Sequence, residues 1–495
     1  MRSSVGKKIM KRRVMSVAVV WGAFVSTAFV ATAVMLTAAA QPASSVSGDA
    51  AAVTLRVPDR ANATPWVAAS GDFVAVAWGA SAAAKTGDVY VAVSRDGGRT
   101  FGAPVQVNTV AGEGRLGGEL PPRVSLARKS GGVAGADPEI VVLWNARGTV
   151  TSIKMSKSRD GGKTFDPPMA LSSPDAAGDR GWPALTVDGR GTSHAIWVDH
   201  RGLAAARREP GATHTHGAAQ SADRATHDGV AMAQKSGLYY ASLTPTTSSA
   251  KTDASAGRAA AAAAGAAVPA DIERELTAGT CYCCKTALVT GRDDALYAAW
   301  RHVYPGNLRD IAFSVSRDRG RTFSAPVRVS EDGWEIHGCP DDGPAMTVDT
   351  RGTVHIIWPT VIGAGTDEPQ GALFYASTAD GRTFTPRVRI PTLGSPKPSH
   401  PQIVADGRGR LAVAWDEVLD GQRTANVREL LRAADGRTVT FGDPLRLTTT
   451  EPSTYPILAS TTRGLLAVST TGAAATSVIT VKPIDLPPPT ATASR

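Results

Sequence analysis

Cysteine and net charge are both scarce in this chain. Only four of its 495 residues are cysteine, too few to staple a chain of this length, so stability has to come from a large core or several domains. The formal charge of +9 suggests a basic protein, but six of the 53 Lys and Arg lie in the first forty residues, where there is no acidic residue. Beyond them, 47 bases face 44 acids, a net +3. That balance excludes the strong basic field a nucleic-acid partner would need.

The one long apolar run is N-terminal. Lys7, Lys8, Lys11, Arg12 and Arg13 precede an uncharged stretch over 14–36, followed by Ala38-Ala39-Ala40-Gln41. This is the pattern of an export signal: a basic n-region, an apolar h-region and a small-residue cleavage site. The run exceeds a typical h-region, so an uncleaved N-terminal anchor is the alternative. Arg12-Arg13 is a faint twin-arginine feature and carries little weight. Either way the sequence predicts an exported protein, periplasmic, extracellular or held on the outer side of the cytoplasmic membrane, with that anchor as its only membrane contact. Export also puts the cysteines where disulfides persist.

What the chain has in place of these is repetition. SRDGGRTF at 94–101, SRDGGKTF at 158–165 and SRDRGRTF at 316–323 share the form Ser-x-Asp-x-Gly-x-Thr-Phe, and STADGRTF at 377–384 and DGRTVTF at 435–441 are decayed copies. The Asp can accept backbone N–H groups across a tight turn, the Gly supplies a positive φ, and the Phe can be buried between neighbouring strands. Around each copy runs a longer unit of four short strands. Second strands end at Trp78, Trp144, Trp197, Trp300, Trp358 and Trp415, and fourth strands read Pro-x-x-Val or similar at 104–107, 326–329 and 444–447. First strands begin near Trp66, Pro122, Trp182, Cys284, Pro344, His400 and Tyr455. Units of four antiparallel strands repeated in this way predict an all-β propeller. The last unit has three strands, and 54–57 (TLRV) has the pattern of its missing fourth. Closure by that segment would remove an exposed sheet edge and favours seven blades, with six as the alternative. The expected organisation is a signal peptide or anchor over 1–40, one propeller domain over 41–482 with insertions at 203–235 and 244–270, and a tail over 483–495.

The repeated octapeptide resembles the Asp box of the sialidase-like, or BNR-repeat, β-propellers. The Cys-x-Cys-Cys at 281–284 and Gly-Cys-Pro at 338–340 resemble those of a bacterial exported subgroup. The resemblance covers most of the chain and implies a glycan or other small ligand bound at one mouth of the central channel. It also implies a possible sialidase-type exo-glycosidase activity in which arginines hold a substrate carboxylate and an acid backs a tyrosine nucleophile. On that pattern Tyr455 stands at the tyrosine position. Arg123, Arg201 and Arg301, with Arg147 beside them, are the candidate clamp, and Asp199 and Glu417, with Asp416, are the candidate acids. The family's Arg-Ile-Pro is missing from the first strand of blade one, which reads NATPWVAAS. The alternative is a non-catalytic binding or assembly scaffold, expected to be monomeric.

Strand order sends the residues before each first strand, and after each second strand, to the face opposite the Asp-box turns. Cys281, Cys283, Cys284 and Cys339 all fall on that mouth face, together with His200, His302, His337 and His400. Two disulfides, one joining the 281–284 segment to Cys339 and one formed locally, even a vicinal Cys283–Cys284 bond, are the first expectation for an exported chain. The second is a metal site with His302 or His337, where soft ligands favour copper or zinc. A redox or nucleophilic thiol is the third. His194 and His355 lie inside second strands in matching His-x-Ile-Trp contexts and read as structural.

Overall fold

The structure, a computed structural model, describes residues 45–46 and 52–486 apart from 84–85, 118, 129–134, 173–176, 208–232, 246–271, 337–339, 341, 364–368, 395–396, 434 and 436–437. Ser44–Arg495 forms one compact unit. The leader, most of both expected insertions, and Cys339 and His337 lie outside the described residues. Among those described, no helix is long and apolar enough to cross a membrane.

Seven sheets make the propeller, the four strands of each blade antiparallel; the sixth also takes Ser45–Val46 as a parallel strand on Leu445–Arg446. Their first strands are Ala61–Ser70, Arg123–Ala127, Arg180–Val187, Ala287–Thr290, Ala345–Val348, Ser399–Ala405 and Ser453–Thr461. Blade seven is completed from the other end of the chain: Val53–Leu55 pairs with Val478–Ile484, with Val53 opposite Val481 and Leu55 opposite Ile479. The seven-blade expectation and the segment expected to close the ring both hold. Val478–Ile484 does run past the domain boundary expected at 482.

The second strands form the driest layer. Trp78, Trp144, Trp197, Trp300, Trp358 and Trp415 are fully buried, each between two blades, and each contributes on the order of 5 kcal/mol of apolar burial at about 25 cal/mol/Å². A buried indole N–H needs an acceptor. Side chains two residues apart on a strand share a face, and the chain uses that spacing. Trp197 donates to Asp199 Oδ2 at 2.9 Å, Trp415 to Glu417 Oε1 at 2.6 Å, and Trp300 to His302 Nδ1 at 3.4 Å. Trp144 has Ala146 two residues on, and its indole nitrogen has no partner among the described residues.

Third and fourth strands are joined by the octapeptide turns. In each of the three full copies one Asp oxygen accepts a backbone N–H across the turn and the other accepts the Thr hydroxyl. Asp96, Asp160 and Asp318 are held well below the ordinary carboxylate range. The Thr100 and Thr164 hydroxyls make the largest contribution at Asp96 and Asp160; at Asp318 burial opposes the shift, and the turn's hydrogen bonds outweigh it. These turns share a face with the loops between first and second strands: Gly97 N–H bonds the Asp72 carbonyl, and Arg95 pairs with Asp137 at 2.6 Å. Antiparallel order then puts the segments leading into first strands on the opposite face.

Candidate functional site

Four first strands open with the same irregularity. Thr64, Trp182, His400 and Tyr455 each have φ between 52° and 54° and each precedes a proline. The strand register jumps at all four places. Proline cannot donate to the ladder, so the pairing lapses there and a bulge re-aims the side chain before it. A positive φ at a non-glycine residue costs roughly 1–3 kcal/mol and persists only where the surroundings enforce it. At three of the four positions the enforcing contact comes from the preceding blade. Thr64 N–H bonds Thr470 Oγ1 at 3.0 Å, His400 N–H bonds Asp342 Oδ2 at 2.8 Å, and Tyr455 N–H bonds Asp416 Oδ2 at 2.7 Å.

His400 and Tyr455 thereby meet over the channel, their rings 4.0 Å apart. The imidazole bridges two carboxylates, with Nδ1 2.7 Å from Asp416 Oδ2 and Nε2 3.2 Å from Glu119 Oε1. Burial opposes the charge on His400, but Asp416 and Glu119 outweigh it and hold the pKa above its ordinary value. Asp416 is buried too, yet His400 and Arg423 keep it below the usual carboxylate range. Glu119 differs. Burial pushes its carboxyl up to about 7 against the pull of Lys285, and Oε2 has no hydrogen-bond partner among the described residues. Arg123 is also buried, which pushes its pKa down to about 9. It lies over Trp66, 3.7 Å from the ring centroid, and its Nη2 has no partner among the described residues either. Lys285 completes the group, 3.3 Å from Asp342 Oδ1.

Trp66, Glu119, Arg123, Lys285, His400 and Tyr455 line one recess whose internal space is about 20 Å³, room for a water-sized group. Arg123, Lys285 and His400 line the recess beside one carboxyl, Glu119, which burial pushes toward its neutral form. The recess is therefore suited to an anionic group.

Of the residues singled out by sequence, the recess brings together Tyr455, Arg123 and His400. Among the described residues the Tyr455 hydroxyl has no hydrogen bond to a carboxylate, and burial raises its pKa, with Glu119 and Asp416 adding to the shift. The others are committed elsewhere. Asp199 accepts the Trp197 indole and pairs with Arg201, which also bonds Glu273 at 2.7 Å. Glu417 accepts the Trp415 indole and Leu393 N–H. Arg301 donates to the carbonyls of Arg309, Pro359 and Asp342. Asp199, Glu417, Arg201 and Arg301 each satisfy neighbouring groups and do not line the recess. His194 and His355 bond Tyr240 and Tyr375 hydroxyls, consistent with a structural reading. Glu119, Lys285 and Asp342 were missed, although all three stand just ahead of a first strand, the position class that marks the mouth.

The sulfur cluster lies beside this recess. Cys281, Cys283 and Cys284 are buried, their sulfur atoms within 4.8 Å of one another. Cys283 is disulfide-bonded, whereas Cys281 and Cys284 are free thiols. Two disulfides and a vicinal Cys283–Cys284 bond are therefore not what the chain adopts. Cys284 donates to Cys281 Sγ at 3.3 Å, and Arg309 Nη1 donates to the same sulfur at 3.3 Å. Copper or zinc fits this set poorly. One sulfur is already bonded, and two fully buried guanidiniums, Arg301 and Arg309, would oppose a cation. His302 is outside the cluster; its Nδ1 accepts the Trp300 indole, and burial lowers its pKa to about 4. His200 is likewise apart, with Nε2 3.0 Å from the Tyr282 carbonyl.

No protein-family model matches the chain, and no curated protein matches it significantly. Solved structures do. The Hadza microbial sialidase Hz136 is 16% identical with a TM-score of 0.41, the match covering 81% of this chain and 74% of that one. A Penicillium chrysogenum alpha-L-arabinanase complexed with arabinobiose is 14% identical, TM-score 0.44, covering 89% and 99%. A Trypanosoma rangeli sialidase in complex with 2,3-difluorosialic acid is 14% identical, TM-score 0.42, covering 77% and 56%.

Proposed function

We propose that the channel mouth binds the terminal residue of an acidic glycan and hydrolyses its glycosidic bond, with Glu119 as the proton-transfer group. The observation that carries this is the pairing in one recess of two buried atoms with no hydrogen-bond partner among the described residues: Oε2 of Glu119 and Nη2 of Arg123. What sets these two apart is that both line the one recess, where a single ligand can supply what both lack. A substrate carboxylate would meet Arg123 and Lys285, the charge-assisted contacts such a group favours.

Glu119 has the pKa a group needs to exchange protons near neutrality. Tyr455 keeps its proton in the free protein, so nucleophilic attack by its oxygen requires an ionised Glu119 to accept that proton. Both residues flank His400, whose link to Asp416 fixes the imidazole between them. The side chains lining the recess come from five blades, so the arrangement is rigid once the ring is closed. The leader over 1–40 supports action outside the cytoplasm.

The test is turnover of fluorogenic sialosides, uronides and arabinosides by purified protein from acidic to mildly alkaline pH, with Glu119→Gln and Tyr455→Phe alongside. Turnover of an acidic glycoside that either substitution reduces by about 10²-fold or more supports the reading. Binding of the free acidic sugar without turnover selects the non-catalytic binding module. The absence of both turnover and binding would refute a glycan site here.

A further inference from the structure

We propose that Cys281 and Cys284 form a dithiol exchange centre that can take over the disulfide held by the neighbouring Cys283. The glycan reading is not needed for this, because every group involved belongs to the sulfur cluster and its arginines.

Three observations support it. First, Cys281 and Cys284 are separated by two residues, the Cys-x-x-Cys spacing that lets two thiols close on each other, and their sulfur atoms are already 3.3 Å apart. Second, the pair is polarised. Cys281 Sγ accepts hydrogen bonds from both Cys284 and Arg309, while Cys284 keeps its proton. One sulfur is set up as the nucleophile and the other as the resolving thiol. The titration follows the geometry: Cys284, Arg309 and Arg301 draw Cys281 down to about 6 despite its burial, and burial raises Cys284. Third, an oxidised sulfur lies within reach, since Cys283 is disulfide-bonded and its Sγ is within 4.8 Å of both thiols.

The exchange balances without an added oxidant. The Cys281 thiolate attacks Cys283 Sγ; a Cys281–Cys283 bond forms, and the bond from Cys283 to its present partner breaks. That partner leaves as a thiolate and takes up the proton that Cys284 loses. Cys284 then attacks Cys281 Sγ, forming Cys281–Cys284 and releasing Cys283 as a thiolate. One disulfide and two reduced sulfurs are present before and after. A structural role for two buried thiols would not require Arg309 to commit a buried guanidinium to a sulfur, nor a second guanidinium, Arg301, close by.

The experiment uses the full folded chain. It is treated with diamide, a small two-electron thiol oxidant, then acid-quenched, unfolded, alkylated and mapped by mass spectrometry, with metal content measured in parallel. The expected result is the loss of both free thiols to one Cys281–Cys284-linked peptide. Cys284→Ser should abolish that peptide and divert Cys281 into a bond with Cys283. Arg309→Met should slow oxidation by about tenfold while circular dichroism shows the fold retained. The proposal is overturned if Cys281 and Cys284 resist diamide in the folded chain yet react at once when unfolded. Thiols that become reactive only after chelation, with stoichiometric copper or zinc, would overturn it equally, since that outcome identifies a metal site.

Discussion

Replacing Glu119 by Gln should make the protein more stable at alkaline pH and leave it nearly unchanged in acid. The carboxyl titrates at 4.5 when unperturbed and at about 7 in the folded protein, where burial is the main cause. Its folded pKa is raised, so between these values the native state holds a proton that the unfolded chain has released. Stability contributed by the neutral carboxyl is therefore full below about 4.5 and is lost as pH rises to about 7. At roughly 1.4 kcal/mol per pH unit the loss is about 3 kcal/mol, nearly all of it complete by about pH 8. The amide introduced by Glu119→Gln would carry no charge at any pH and would escape that loss.

His400, whose pKa is also raised, adds a further fall in stability as pH passes its folded value. Asp416, whose pKa is depressed, acts in the opposite sense, but only in more acidic solution. The comparison of variant with parent between about pH 5 and about pH 8 therefore reads Glu119 together with its effect on His400. Urea midpoints read by the fluorescence of the buried tryptophans would measure it. The parent midpoint should fall across this range and the variant's should fall much less. Equal falls, or a variant destabilised by the same amount at both pH values, would refute the buried, proton-holding Glu119 on which the proposed site rests.

Two further substitutions test the surroundings. A Cβ on Gly343 would sit 2.1 Å from the Lys285 carbonyl oxygen, so Gly343→Ala should push back the segment holding Lys285 and lower both thermal stability and anion affinity at the mouth; unchanged affinity would dissociate Lys285 from the site. Glu417→Leu should remove the acceptor of the buried Trp415 indole N–H and of the half-buried Leu393 N–H and cost about 1–3 kcal/mol for the buried one left unsatisfied, while leaving mouth ligand binding within about twofold once the folded fraction is matched. A selective loss of activity in a fully folded Glu417→Leu would support its catalytic reading.

The fold was legible because each repeated unit writes its own boundaries. An Asp-x-Gly-x-Thr turn, a Trp ending a buried strand and an X-Pro pair opening the next are all local signals, and TLRV could be matched to the missing strand by pattern alone. The site was less legible because its members come from five blades. Sequence shows that Glu119, Lys285 and His400 occupy equivalent positions but not which of them end up facing one another across the channel. The two candidate acids illustrate a different limit. Asp199 and Glu417 stand at the mouth end of their strands, as a catalytic acid would. But each follows a Trp by two residues, and strand periodicity alone could have assigned them to the indole N–H. His302 follows the same rule. The state of the cysteines was not legible at all, since spacing cannot say which of three neighbouring sulfurs is oxidised.

The bulged residues explain why a catalytic or binding mouth belongs on a closed ring. Thr64, His400 and Tyr455 are each held in an unfavourable backbone conformation by an acceptor from the blade before them. None of these residues can enforce its own geometry, and an isolated blade would relax by roughly 1–3 kcal/mol at each position. For Thr64 the preceding blade is the seventh, whose outer strand Val53–Leu55 comes from the N-terminal side of the fold. The Thr64–Thr470 contact therefore forms only when both ends of the propeller have met. His400 depends in the same way on Asp342, which also binds Lys285 through its carboxylate. The charges that would recognise a ligand and the strain that aims the rings at it thus share their supports. The mouth can be correctly built only in a molecule whose ring is complete.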